Sequence, residues 1–108
     1  MKKVTPGQQD KYDIDQKIIR SLADLESRTI LFSIRTKAKK AEDIVRDTNI
    51  PQSSVYKKLE MLEDLALITI EKRDFSDHGH IIKFYKSRIN AAQITIKKVK
   101  PSLTLIKN

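Results

Sequence analysis

A mainly α-helical domain carrying a β-hairpin (α+β) is the fold class this sequence predicts, and three observations predict it. Residues 43–67, DIVRDTNIPQSSVYKKLEMLEDLAL, read as two helices joined by a tight Asn-Ile-Pro turn. Residues 67–72 then alternate like a half-buried strand, and 81–89 are rich in β-branched and aromatic residues, with turn chemistry between them. Upstream, apolar residues recur at helical spacing from Asp13 onward. Together these give about four helices and a two- or three-stranded hairpin sheet.

Each element has its own reason. Residues 1–10 show no periodicity and contain Pro6 and Gly7, so a flexible N-terminal arm is expected there. Ile14, Ile18, Leu22 and Leu25 form a helical stripe that Ile19 widens. Asp24 can cap a second helix, with Leu25, Ile30, Leu31 and Ile34 facing inward. Residues 36–40 form a short basic link. The next helix spans 40–48 and buries Ala41, Ile44 and Val45. Asn49 tolerates the left-handed conformation that ends a helix, and Ile50 supplies the apolar contact that often follows. Pro51 suits the start of a new helix, which runs to about Leu65. Its seam is Val55, Leu59, Leu62 and Leu65; Gln52, Ser53, Tyr56 and Lys57 fall off it.

The segment 74–80, DFSDHGH, reads as the hairpin turn, with Gly79 able to take positive φ. Beyond residue 90 the pattern is weaker. QITIKKVK suits a third strand, interrupted at Pro101, with SLTLIKN as a second piece. The domain therefore covers 11–90. Residues 91–108 form a basic extension, read as an added strand or a dimerisation segment.

Composition bounds the function. At 108 residues the chain is one small domain, in which a deep catalytic cleft is not expected. With 39% hydrophobic and 33% charged residues it reads as soluble and folded. No apolar run approaches membrane length, and the basic start leads into no apolar segment, so a cytoplasmic location is expected. The absence of cysteine removes disulfides, thiolate metal sites and cysteine nucleophiles. A net charge of +8 and a pI near 9.8 favour a polyanionic partner, with nucleic acid ahead of an anionic membrane.

A helix followed by a turn and a second helix, then a hairpin wing, is the arrangement that sets its second helix into the DNA major groove. The charges agree with it. In 52–66, Lys57 and Lys58 come first, and Glu60, Glu63 and Asp64 come last, where a groove-bound helix would be leaving the duplex. Gln52 can bind adenine bidentately, Ser53 and Ser54 can serve bases or phosphates, and Tyr56, Lys57 and Lys58 lie about one turn on. Lys72, Arg73, His78, His80 and Lys83 surround the wing tip, suited to phosphate or minor-groove contact, but Asp74 and Asp77 dilute that field, and the alternative is a wing that only positions the protein. The same residue types have plainer uses: serine and glutamine cap helices, lysines stay solvated, and Tyr56 can pack on the preceding helix.

Neither metal nor catalytic residues are assigned, and no cofactor is expected. Asp77, His78 and His80 share one short turn without a second cluster to close a zinc site. No glycine-rich phosphate loop, HExxH or nucleophile–base pair is present, so an enzyme is not expected.

Residues SLADLESRTILFSI, AEDIVRDTNIPQSSVYKKLEMLEDLALI and the hairpin ending KFYKS give the chain a resemblance to the ArsR-like winged helix-turn-helix regulators of bacteria and archaea. The resemblance covers about residues 19–89. It implies a cytoplasmic, usually dimeric transcriptional regulator with its recognition helix at 52–65. Two departures stand out. Ala66 occupies a position where the family often has glycine, and a left-handed alanine costs about 1 kcal/mol more, so that helix end is expected to be shaped differently. The cysteine pair of the metal-sensing members is missing, so thiolate sensing is not implied and the effector is unknown.

The expected function is a transcriptional regulator bound to double-stranded DNA. The alternative is a winged-helix protein-interaction module in a transcription or chromosome-organising complex. The stripe at 13–23 and the apolar pieces at 94–96 and 103–106 exceed what one small core readily buries. A homodimer is expected from them, against the alternative that both termini fold back over their own domain.

Overall fold

The computed structural model describes residues 6–108, with side chains from residue 14 onward. Helices α1 (Pro6–Ala23), α2 (Leu25–Ser33), α3 (Ala41–Thr48) and α4 (Gln52–Asp64) precede strands β1 (Ile68–Phe75), β2 (Ile81–Ser87), β3 (Ile89–Thr95) and β4 (Ser102–Lys107). The strands form two antiparallel hairpins, β1 with β2 and β3 with β4. The α+β class read from the sequence is the one observed.

Helix α1 begins at Pro6 and so takes in residues 6–10, which the sequence assigned to the arm. Proline's fixed φ and missing N–H suit a first helical position. Residues 1–5 lie outside the described residues. Ile18 and Leu22 are buried, whereas Ile14 is half exposed. Leu25, expected to face inward, is 69% exposed. The reason is local: Asp24 is extended (φ −79, ψ 123) and caps α2 by accepting the Ser27 N–H at 3.0 Å, so Leu25 starts a new helix out of phase with α1. Ile30, Leu31 and Ile34 complete the expected α2 face.

The helix-turn-helix follows the sequence closely. α3 buries Ala41 and Ile44, Asn49 closes it at φ 60, and Ile50 is buried directly behind. α4 then sets Val55, Leu59 and Leu62 into the core. Each such burial contributes about 1.5–3 kcal/mol.

The end of α4 corrects one expectation. Ala66 does take the left-handed conformation, at φ 59. The Ala66 N–H donates to the Glu63 carbonyl at 2.9 Å, and the Leu67 N–H donates to the Leu62 carbonyl at 3.0 Å. This bonding is a Schellman closure, with Leu67 and Leu62 both buried as its apolar contact. The left-handed closure is therefore reached without a glycine, because burial of Leu67 outweighs the local strain. Ala66→Gly is expected to raise unfolding free energy by roughly 0.5–1 kcal/mol in urea denaturation, part of the relief being offset by glycine's unfolded-state entropy.

The wing is longer than its sequence suggested. Asp74 and Phe75, expected in the turn, belong to β1 and pair with Ile82 and Ile81. The chain reverses over 76–80: the Ser76 N–H donates to the His80 carbonyl at 2.8 Å, the Gly79 N–H to the Ser76 carbonyl at 2.9 Å, and Gly79 sits at φ 79. A bulge falls between Ile70 and Lys72. From Glu71 to the end of β1 every residue is exposed, so the distal wing stands in solvent. The basic link is also structured. Lys39 and Tyr85 exchange backbone hydrogen bonds of 3.0 and 2.8 Å, which ties residues 36–40 to the wing.

The C-terminal segment is a hairpin of its own rather than a third wing strand. The Ser87 hydroxyl donates to the Ile89 carbonyl at 2.8 Å and accepts the Ile89 N–H at 3.2 Å, turning the chain out of β2. Ile89 and Leu103 pack on the core. The Asn108 side chain donates to the carbonyls of Arg35 (2.6 Å) and Ser87 (2.9 Å). Lys100 and Pro101 at the hairpin's tip lie against Asp15, Gln16 and Ile19 of α1. The hairpin thus folds onto its own domain, while Ile94, Leu105 and Ile106 keep 38–50% exposure.

Candidate nucleic-acid interface

Pro51, at the N-cap of α4, has no side-chain acceptor, and no side-chain cap bond closes that helix. The polar residues after it are therefore not used as caps. Gln52 and Ser53 are exposed and Ser54 half-buried, and among the described residues none of the three makes a side-chain hydrogen bond within the chain. Tyr56 is 47% exposed, and Lys57 is exposed without an acidic partner among the described residues. The seam at Val55, Leu59 and Leu62 fixes their direction: the buried side of α4 faces the core, which leaves 52, 53, 56 and 57 outward.

Lys58 is placed elsewhere. Its ammonium donates to Asp24 Oδ2 at 2.6 Å and lies 3.7 Å from Glu26, with its side chain 21% exposed. It ties α4 to the start of α2 and does not join the outward group. The Asp24 carboxyl is held down at about 2, first by the Lys58 hydrogen bond and then by that of Ser27.

The wing's base lies beside α4. The Tyr85 phenol is pushed up first by burial and then by the nearby Glu63 carboxylate and Tyr56 phenol. Further out, Lys72 Nζ stands 5.4 Å from the centre of the Phe84 ring, a cation–π contact. Arg73 and Lys83 are exposed and directly opposite each other in the register. Like charges so placed destabilise a hairpin, and an anion between them would relieve that repulsion. His78 and His80 are exposed in the turn. Among the described residues no group of three or more His, Asp or Glu is arranged to hold a metal ion.

One contributor escaped the sequence reading. Lys37 is exposed and lines a depression with Phe84, Ala38 and Asp47, which brings it to the side of the wing that carries Lys72. The basic run at 37–40 was visible, but its position depended on the Lys39–Tyr85 bridge between residues 46 apart in sequence. Lys39 itself is paired with Asp47 at 2.8 Å, and Arg46 with Asp43. The Lys39 hydrogen bond lowers the Asp47 pKa. The structure thus brings together Gln52, Ser53, Tyr56 and Lys57 on one outward helical face. Lys72, Arg73 and Lys83 lie on the adjoining wing, and Lys58 stands apart.

Comparison with solved structures decides the architecture. The crystal structure of NolR from Sinorhizobium fredii superposes with a TM-score of 0.61 at 16% identity, covering 83% of this chain and 84% of that one. This is the winged-helix fold. No family model and no curated protein matches the sequence. Within the winged helix, α3 and α4 are the helix-turn-helix, β1 and β2 the wing, and the β3–β4 hairpin follows it.

Proposed function

We propose that the protein is a transcriptional regulator that binds double-stranded DNA through α4 and the wing. The observation that carries this reading is the outward face of α4, whose Gln52, Ser53, Tyr56 and Lys57 are spent neither on capping nor, among the described residues, on side-chain pairing. Gln52 and Ser53 reach base edges from the first turn, Tyr56 and Lys57 follow one turn on, and Ser54 serves a phosphate. Lys72, Arg73, Lys83 and His80, joined by Lys37, contact the flanking backbone. The acids late in α4 lie where the helix leaves the groove. The likeness to the winged-helix NolR and the net charge of +8 support this coarse assignment. The proposed role is one of binding, in the cytoplasm, as suits a transcriptional regulator. No described helix is long and apolar enough to cross a membrane.

The test is selection of bound fragments from the source genome, followed by gel shifts at low and moderate salt. Binding is expected to weaken steeply with salt, and Lys57→Ala to weaken it several-fold while lowering the salt slope by about 1. Unchanged affinity in that variant removes α4 from the interface.

A second reading is favoured by a different surface. Leu25 and Phe32 on α2 are 69% and 63% exposed, and Ile106 on β4 is half exposed. These residues suit a protein partner. A second copy of the chain would add two-fold symmetry suited to a pseudo-palindromic site. No gel shift at either salt concentration would leave the protein-interaction module as the better account.

A further inference from the structure

The far end of the wing carries two large apolar residues that the fold does not use. Phe75 and Ile81 pair across the hairpin just before its turn, and they are 71% and 58% exposed. Pairs two residues apart on both strands point to the same side of a hairpin. Phe75 and Ile81 therefore share a face with Arg73 and Lys83. The result is an apolar point backed by two opposed cations, on a hairpin whose first strand is exposed from Glu71 to Phe75. A cross-strand apolar pair would steady the hairpin modestly, but that role does not call for two repelling cations behind it.

We infer that the wing tip is a minor-groove wedge. Phe75 enters between two base pairs, Ile81 fills the groove beside it, and Arg73 and Lys83 neutralise phosphates on the two strands. Apolar side chains inserted in this way unstack a step and kink the duplex. The charge on this face favours a polyanion, and stacked base pairs offer the aromatic ring at its point an apolar slot to enter. A duplex supplies both. The tight turn and the strand pairing that runs up to it hold the point in place before contact. The inference rests on the DNA-binding reading above and adds to it a bend and a flexible step, such as TA, at the wing's contact.

The test uses the full chain and a duplex recovered by the genomic selection, labelled with a dye at each end and with 2-aminopurine beside the wing-proximal TA or CA step. Binding is expected to shorten the end-to-end distance by energy transfer, in line with a kink of roughly 20–90°, and to raise 2-aminopurine fluorescence. A double variant, Phe75→Thr with Ile81→Thr, keeps residues that favour strands, and its circular dichroism shows whether the wing persists. It is expected to lose the bend and the fluorescence rise, and to bind roughly tenfold more weakly. Arg73→Gln is expected to weaken binding and lower the salt slope while the bend remains.

A straight duplex with the unsubstituted protein, or a bend kept by the double variant, overturns the wedge and leaves DNA binding standing. Failure of the unsubstituted protein to bind any duplex overturns both. If vesicles of phosphatidylglycerol and phosphatidylcholine capture the unsubstituted chain but not the double variant, with DNA behaviour unchanged, the tip belongs to a lipid surface and the wedge is again overturned.

Discussion

Truncation of Leu62 to alanine is expected to cost about 3–4 kcal/mol, among the largest single losses this fold can suffer. Leu62 is fully buried in the seam of α4, and its carbonyl accepts the Leu67 N–H that closes the helix. It belongs to one core cluster with residues of α2, α3 and the start of β1, so its loss leaves a cavity in a close-packed interior. A chain of this size has a total stability of about 5–16 kcal/mol, so the variant gives up a large fraction of it. Thermal unfolding is expected to shift down by about 15–20 °C. Met61, its neighbour in sequence, is 38% exposed, and Met61→Ala is expected to cost far less. Equal losses at the two positions, measured in urea, would contradict the placement of α4.

Asp24 is the second sensitive point, because one carboxylate serves three donors: the Ser27 N–H at 3.0 Å, the Ser27 hydroxyl at 2.7 Å and the Lys58 ammonium at 2.6 Å. Asp24→Ala removes a helix cap worth about 1 kcal/mol. It also strands the hydroxyl of Ser27, which is fully buried, at a further cost of about 1–3 kcal/mol. The half-exposed ion pair adds little. A total of about 2–4 kcal/mol is expected. Asp24→Asn isolates the charge, since asparagine caps equally well.

The pH dependence follows from the direction of the shift. The folded carboxyl sits at about 2 against 3.8 for the free group, so its stabilisation is complete above pH 4 and lost as pH falls through 2. With the side chain 39% exposed, solvent screening reduces the contribution to about 1 kcal/mol. The difference in stability between the native protein and Asp24→Asn is expected to shrink between pH 4 and pH 2. A constant difference across that window would show that Lys58 does not hold the carboxylate.

What could be read from residue order was what depends on neighbours in the chain. The seam of α4, the Asn49 closure and the Asp24 cap are all set by residues within a few positions of one another, and all are found where expected. What escaped depends on distant partners. Helical spacing groups Lys58 with the groove-facing residues, because spacing alone cannot show that Asp24, 34 positions earlier, claims its ammonium. The apolar stripe places Leu25 inward only when it is continued across the break that Asp24 makes. The tail was read as separate pieces because Pro101 interrupts it, whereas the six residues between β3 and β4 form the connection of a hairpin. On the candidate interface, the polar start of α4 was legible. The lysine at position 37 was not, since a basic link reveals nothing about which strand it lies beside.

The exchange of backbone hydrogen bonds between Lys39 and Tyr85 has a mechanical consequence. It gives the projecting arm a fulcrum on the body of the molecule, next to the first turn of α3. Force applied at the arm's far end is carried through that bridge towards α3, so the projecting strands and the helix-turn-helix are mechanically joined there.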